Sequence, residues 1–119
     1  MNKITSFLSL AALAAFSALP ITAKAQDETT TVKGEILDLA CYADHGGHGE
    51  KHMACAQKCI ASGLPVGLKA EDGKVYLVIG QHKPLNSELA PEAGKVVTLK
   101  GKVVSKDGIN LLENAEIVK

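Results

Sequence analysis

Hydrophobic and polar residues alternate along much of the chain after residue 31, and the places where the alternation breaks carry its chemistry. Val32, Ile36 and Leu39 fall among Lys33, Glu35 and Asp38, so residues 32–42 are expected to form a first strand that delivers Cys41 at its end. Residues 44–49, Asp-His-Gly-Gly-His-Gly, are too rich in glycine for regular structure and read as a flexible loop carrying two imidazoles. In residues 50–62 the period changes to that of a helix. At about 100° per residue, Glu50, Lys51, Gln57 and Lys58 share one arc, and His52, Met53, Cys55, Ala56, Cys59 and Ile60 share the other. Gly63 and Pro65 supply the stop. This is the main expected helix, with both of its cysteines pointing inward.

Alternation then returns. Residues 64–70 and 74–79 flank Glu71-Asp72-Gly73 and read as a hairpin. Residues 80–94 form a polar connection with a helical turn near 87–89. A strand follows over 95–104, with Gly101 as a bulge or bend. Lys106-Asp107-Gly108 turns the chain into one or two closing strands over 109–118. The pattern predicts a mainly β domain with one helix, a small five-stranded antiparallel, partly open barrel of the OB type. The helix falls after the first strand rather than the third, which departs from the usual order.

The start of the chain follows another pattern. Lys3, an uncharged apolar run over residues 7–19, Pro20 and Ala23-Lys24-Ala25 make the profile of a cleaved secretory signal peptide. The run is shorter than the roughly 18–20 residues of a membrane span. No cysteine sits at the cut to take a lipid anchor. Cleavage before Gln26 is expected, leaving a frayed arm over 26–31 and one β domain over 32–119. The product is expected to be periplasmic or secreted, without membrane insertion after signal cleavage.

Composition narrows the function. Removing the first 25 of 119 residues leaves 94, enough for one modest core. Lys3 and Lys24 leave with the leader, so 11 lysines face 13 acids and the net charge is −2. Arginine is absent, and Tyr42 and Tyr76 are the aromatic residues that remain. Nucleic acid is therefore excluded as an expected partner, for want of a positive field, phosphate forks and a stacking platform.

The candidate chemistry lies between Cys41 and Cys59, which enclose all three cysteines and three of the four histidines. On the expected helix, His52, Cys55 and Cys59 stand at i, i+3 and i+7, within about 60° of arc. With Cys41 approaching from the strand end they make a Cys3His set suited to zinc or to a soft ion such as cuprous copper. His45 and His48, on the glycine loop, are candidates to replace His52 or to add a ligand. Two other readings stand beside this one. Small exported domains use disulfides, and a bridge from Cys41 to Cys55 or Cys59 would staple strand to helix for about 3 kcal/mol. The C-x3-C pair could alternatively serve thiol–disulfide exchange, although it is not the C-x-x-C of thioredoxin-like enzymes. Asp38 and Asp44 are near enough in sequence to orient an imidazole, but read more simply as solvated turn residues. His82 reads as a solvated loop residue and Met53 as helix packing. No hydrolytic triad is marked around Ser62, Ser87 or Ser105.

The order D-x-x-C (Asp38 to Cys41), a histidine loop, C-A-x-x-C-I-x-x-G (Cys55 to Gly63), D-G-K-V-Y (Asp72 to Tyr76) and A-G-K-V-V-T-L-K-G (Ala93 to Gly101) resembles a group of small exported bacterial proteins. The resemblance spans most of the mature chain. It implies an OB-like β domain, bacterial export and a pairing of Cys41 with the helix cysteines, and it carries no established activity. The expected function is a non-enzymatic, exported metal-binding module built on Cys41, His52, Cys55 and Cys59. A disulfide-stapled module that binds a protein or small molecule through its barrel surface is the alternative, and a thiol–disulfide redox protein the next.

Overall fold

The structure, a computed structural model, describes residues 28–119. The expected signal peptide and its cleavage point lie outside the described residues. Five strands, β1 (Thr29–Asp38), β2 (Val66–Ala70), β3 (Val75–Val78), β4 (Val96–Lys106) and β5 (Ile109–Ile117), close into a barrel in the order β1-β2-β3-β5-β4. The barrel is closed where a partly open one was expected. Nor is it wholly antiparallel, because Leu77 and Val78 of β3 pair in parallel with Leu111 and Leu112 of β5. The reason is topological: directions cannot alternate all the way round a ring with an odd number of strands, so one neighbouring pair must be parallel.

Most of the strand pattern appears as the alternation predicts. The β2–β3 hairpin turns at Glu71 to Gly73, where Gly73 N–H donates to Ala70 O and φ is +88°. Along β4 and β5 the register slips between Lys100 and Lys102, at Gly101, so the expected bulge is present. The start of the chain differs. Thr29 to Thr31, expected as part of a frayed arm, already pair with Lys102 to Lys100 of β4.

The first strand also ends sooner than expected. After Asp38 the chain turns into a helix, α1 (Leu39–His45), so Cys41 sits on a helix and not at a strand end. Asp38 caps that helix, its carboxylate accepting from Ala40 N–H at 3.0 Å, and Gly46 closes it in the left-handed region at φ +72°. Residues 50–52 form a 3-10 turn leading into α2 (Met53–Ala61), and α3 (Asn86–Leu89) lies in the long connection before β4. Among the described residues there are thus three short α-helices: α2 is the main helix expected, α3 lies at the helical turn expected near 87–89, and α1 is the addition. Among the described residues no helix is long and apolar enough to cross a membrane.

Each strand sends a residue into a common core: Ile36, Leu68, Val78, Leu99 and Leu112, joined by Ile60 from α2 and Leu89 from α3. The α2 helix packs against β1 and α3. Asn86 at the start of α3 donates to Ile60 O at 2.8 Å and Leu64 O at 2.7 Å, satisfying carbonyls at and just beyond the end of α2. The side of α2 that carries Ala56 and Ile60 is thereby fixed on the barrel, and this sets where its cysteines stand.

Candidate metal centre

Two short helices supply the site, and each contributes a pair at i, i+4. On α1 the pair is Cys41 and His45; on α2 it is Cys55 and Cys59. Residues four apart share a helix face, so each pair presents two donors together. His52 enters from the 3-10 turn at the head of α2. The α1 helix is held in place at its entry, where Leu39 N–H donates to Pro65 O at 3.0 Å. The side chain of Leu39 lies where a Cβ on Gly67 would stand, 2.4 Å from its Cδ2, so β2 needs glycine at this point for α1 to dock.

Five donors converge. The ligand atoms of Cys41, Cys55 and Cys59 all lie within 4.8 Å of one another, and so do those of Cys41, His45 and His52. Tetrahedral zinc thiolates need sulfurs about 3.8 Å apart, the spacing that follows from Zn–S bonds of about 2.3 Å. The sulfur triad therefore comes within roughly an ångström of that spacing, and the donors of the imidazole triad lie within the same 4.8 Å. The rings of His45 and His52 meet edge to face, with centroids 5.6 Å apart.

His48 is placed elsewhere. Its Nδ1 lies 3.8 Å from Glu35 Oε2, and its ring meets Tyr42 edge-on at 6.4 Å. Glu35 also accepts a hydrogen bond from Gly49 N–H, so this β1 carboxylate ties down the glycine loop. Nothing in the sequence pattern marked Glu35 for that task, since it reads as the polar half of an alternating strand.

Burial on α2 also departs from expectation. Ala56 and Ile60 are buried and Cys59 is half-buried, but Cys55 is exposed. Its arc lies at the margin of the apolar stripe, so its thiol is at the solvent edge of the cluster. All three cysteines are free thiols. His52 is half-buried, and a Cβ on Gly47 would stand 2.8 Å from its Nε2, so the glycine loop lies directly against the imidazole.

Asp38 is not the solvated turn residue its sequence context suggests. It is fully buried, the one buried charged or polar residue found among those described. Burial alone would raise its carboxyl. The Cys41 thiol, Ala40 N–H, the Cys59 thiol and Cys41 N–H outweigh that and hold it below the usual range. Its stabilising contribution is therefore present above the unfolded carboxyl pKa and is lost as pH falls through the lower folded value. The same contacts push Cys41 the other way. The hydrogen bond to Asp38, burial and the Asp38 charge raise its thiol to about 12. Burial, then hydrogen bonds to Asp38 and Cys55, also raise Cys59. Two buried polar atoms, Asp38 Oδ2 and His52 Nε2, have no partner of proper hydrogen-bond geometry, and both belong to this site.

Replacing Asp38 with asparagine tests this electrostatic reading. The amide can still cap α1, but the negative charge beside Cys41 is gone, so the thiol pKa should fall toward its ordinary value. Each unit of that fall gives about tenfold more thiolate at pH 8. Alkylation of the Cys41 peptide by iodoacetamide, followed by mass spectrometry on metal-free protein, should accelerate by about tenfold or more. An unchanged or slower rate would show that Asp38 does not control this thiol.

Comparison with known proteins finds no matching family model, no matching curated protein and no matching solved structure.

Proposed function

We propose that this protein is an exported metal-binding module of the OB-like class, holding zinc or copper through Cys41, Cys55 and Cys59 with imidazole from His45 or His52. The observation that carries the reading is the convergence of three thiols and two imidazoles at near-coordination spacing. Thiolate and imidazole donors in this number suit zinc and cuprous copper, whereas magnesium and calcium favour oxygen ligands. Asp38 fits the same role, because a buried anion beside the Cys41 and Cys59 thiols favours a cation at the cluster. The resemblance to small exported bacterial proteins supports the location of the module outside the cytoplasm.

The same electrostatics weigh against Cys41 or Cys59 as the attacking thiol in disulfide exchange. An attacking cysteine needs a depressed pKa, and Cys41 and Cys59 are both shifted upward. A bound divalent ion would reverse that effect by taking the thiolate directly.

Thermal unfolding with and without zinc, chelator and reductant tests the function. Zinc at a hundred times its Kd should add about 2.7 kcal/mol of stability. For a domain of this size that raises Tm on the order of 10–20 °C. Chelator should remove the gain, and reductant alone should leave it. Destabilisation by reductant with indifference to zinc and chelator would favour the disulfide staple and defeat the metal function.

A further inference from the structure

We propose that the site holds two metal ions joined through the Cys41 sulfur, one completed by Cys55 and Cys59 and the other by His45 and His52. This rests on the metal-binding reading and adds its stoichiometry and its internal division. The two triads whose donor atoms lie within 4.8 Å of one another have one atom in common, the Cys41 sulfur. A thiolate sulfur has lone pairs enough to bond two ions. Zinc takes four ligands in a tetrahedron, so a single ion cannot use all five donors that converge here. Two ions sharing one sulfur use all of them.

The helices divide the donors the same way. Cys55 and Cys59 come from one face of α2, and Cys41 with His45 from one face of α1, with His52 at the junction between the helices. Charge supports the count. Coordinated thiols lose their protons to solvent, giving three thiolates in a cluster where the fully buried Asp38 carboxylate meets two of them, Cys41 and Cys59. Two divalent ions neutralise those four charges, whereas one leaves two negative charges against a buried carboxylate. No bond to carbon breaks and no oxidation state changes.

Each ion would have three protein ligands and one open position, the arrangement of an exchangeable or reactive zinc site rather than of a closed structural one. Both ions would be reachable from solvent, because His45 at the end of α1 and Cys55 on α2 are each exposed.

The test is zinc stoichiometry by native mass spectrometry on protein purified under reducing conditions, loaded with excess zinc and freed of unbound ion. The wild type should hold two zinc ions per chain. The His45→Ala/His52→Ala double variant and the Cys55→Ser/Cys59→Ser double variant should each hold one. X-ray absorption on the wild type should show a metal–metal distance on the order of 3.5–4 Å. One zinc in the wild type, or two still held by the histidine variant, overturns the paired site and leaves the metal-binding function intact. No zinc in any form overturns both. Should the cysteine variant fail to fold by circular dichroism, the histidine variant and the absorption distance still decide the matter.

Discussion

Replacing Cys41 with serine is expected to abolish tight zinc binding in both halves of the site at once. The serine hydroxyl can keep a hydrogen bond to Asp38, so the fold should persist, but a neutral hard oxygen is a poor replacement for a thiolate. Loss of an outer partner at a metal site commonly costs about 10–100-fold in affinity. Loss of the ligand shared by both triads should exceed that. The comparison that carries the weight is with Cys55→Ser, which leaves Cys41, His45 and His52 together. Competition against a chromophoric chelator should show Cys55→Ser retaining one measurable binding event and Cys41→Ser none. Equal affinity in the two variants would remove Cys41 from the centre of the site. In chelator, stability should separate the readings further. A residue that only binds metal leaves the metal-free protein nearly unchanged, whereas half of a disulfide costs about 2–5 kcal/mol when removed.

The second large effect comes from a single methyl group on β1. Gly34 pairs with Ala70 of β2 on one side and Val97 of β4 on the other. A Cβ at Gly34 would stand 2.3 Å from Lys69 O and 2.7 Å from its carbonyl carbon. Backbone cannot rotate away as a side-chain tip can, so Gly34→Ala must push β1 and β2 apart. Overpacking of this kind costs about 1–3 kcal/mol, and a backbone clash lies at the upper end or above it. At about 4–8 °C per kcal/mol for a domain of this size, Tm should fall on the order of 10–20 °C. Glycine-to-alanine changes at relaxed positions stabilise slightly instead. An unchanged or higher Tm would mean that the barrel tolerates a wider separation at this point.

Much of this protein can be read along the chain because strand and helix periods are local properties. The alternation around Lys69, Tyr76, Leu99 and Leu112 places strands where they occur, and Gly73 and Gly101 mark a turn and a bulge by their conformational freedom. The amphipathic arc of residues 50–62 locates α2, with Lys51 and Lys58 outward and Ile60 inward. The α1 helix was also accessible in principle. Asp38 before Leu-Ala-Cys-Tyr-Ala, followed by Gly46, has the form of a capped and terminated helix. Val32, Ile36 and Leu39 made the same residues look like the continuation of a strand, and a seven-residue helix is too short for its period to compete.

What no local pattern contained was the meeting of distant segments. By itself the sequence determined the strands and α2, the absence of arginine and the confinement of all three thiols and three of the four imidazoles to one stretch of chain. The helix α1 sets His45 one turn from Cys41, while tertiary structure decided the rest: Glu35 takes His48 away and the packing of α2 brings His52 to Cys41. The burial of Asp38 was decided there too, since only the closed barrel and the helix it caps remove that carboxylate from water. Barrel closure is likewise global, because the two parallel pairs between β3 and β5 join residues more than thirty positions apart. Periodicity reports which way a side chain faces from its own element. Where that element lies against another depends on packing among residues that the chain itself keeps far apart.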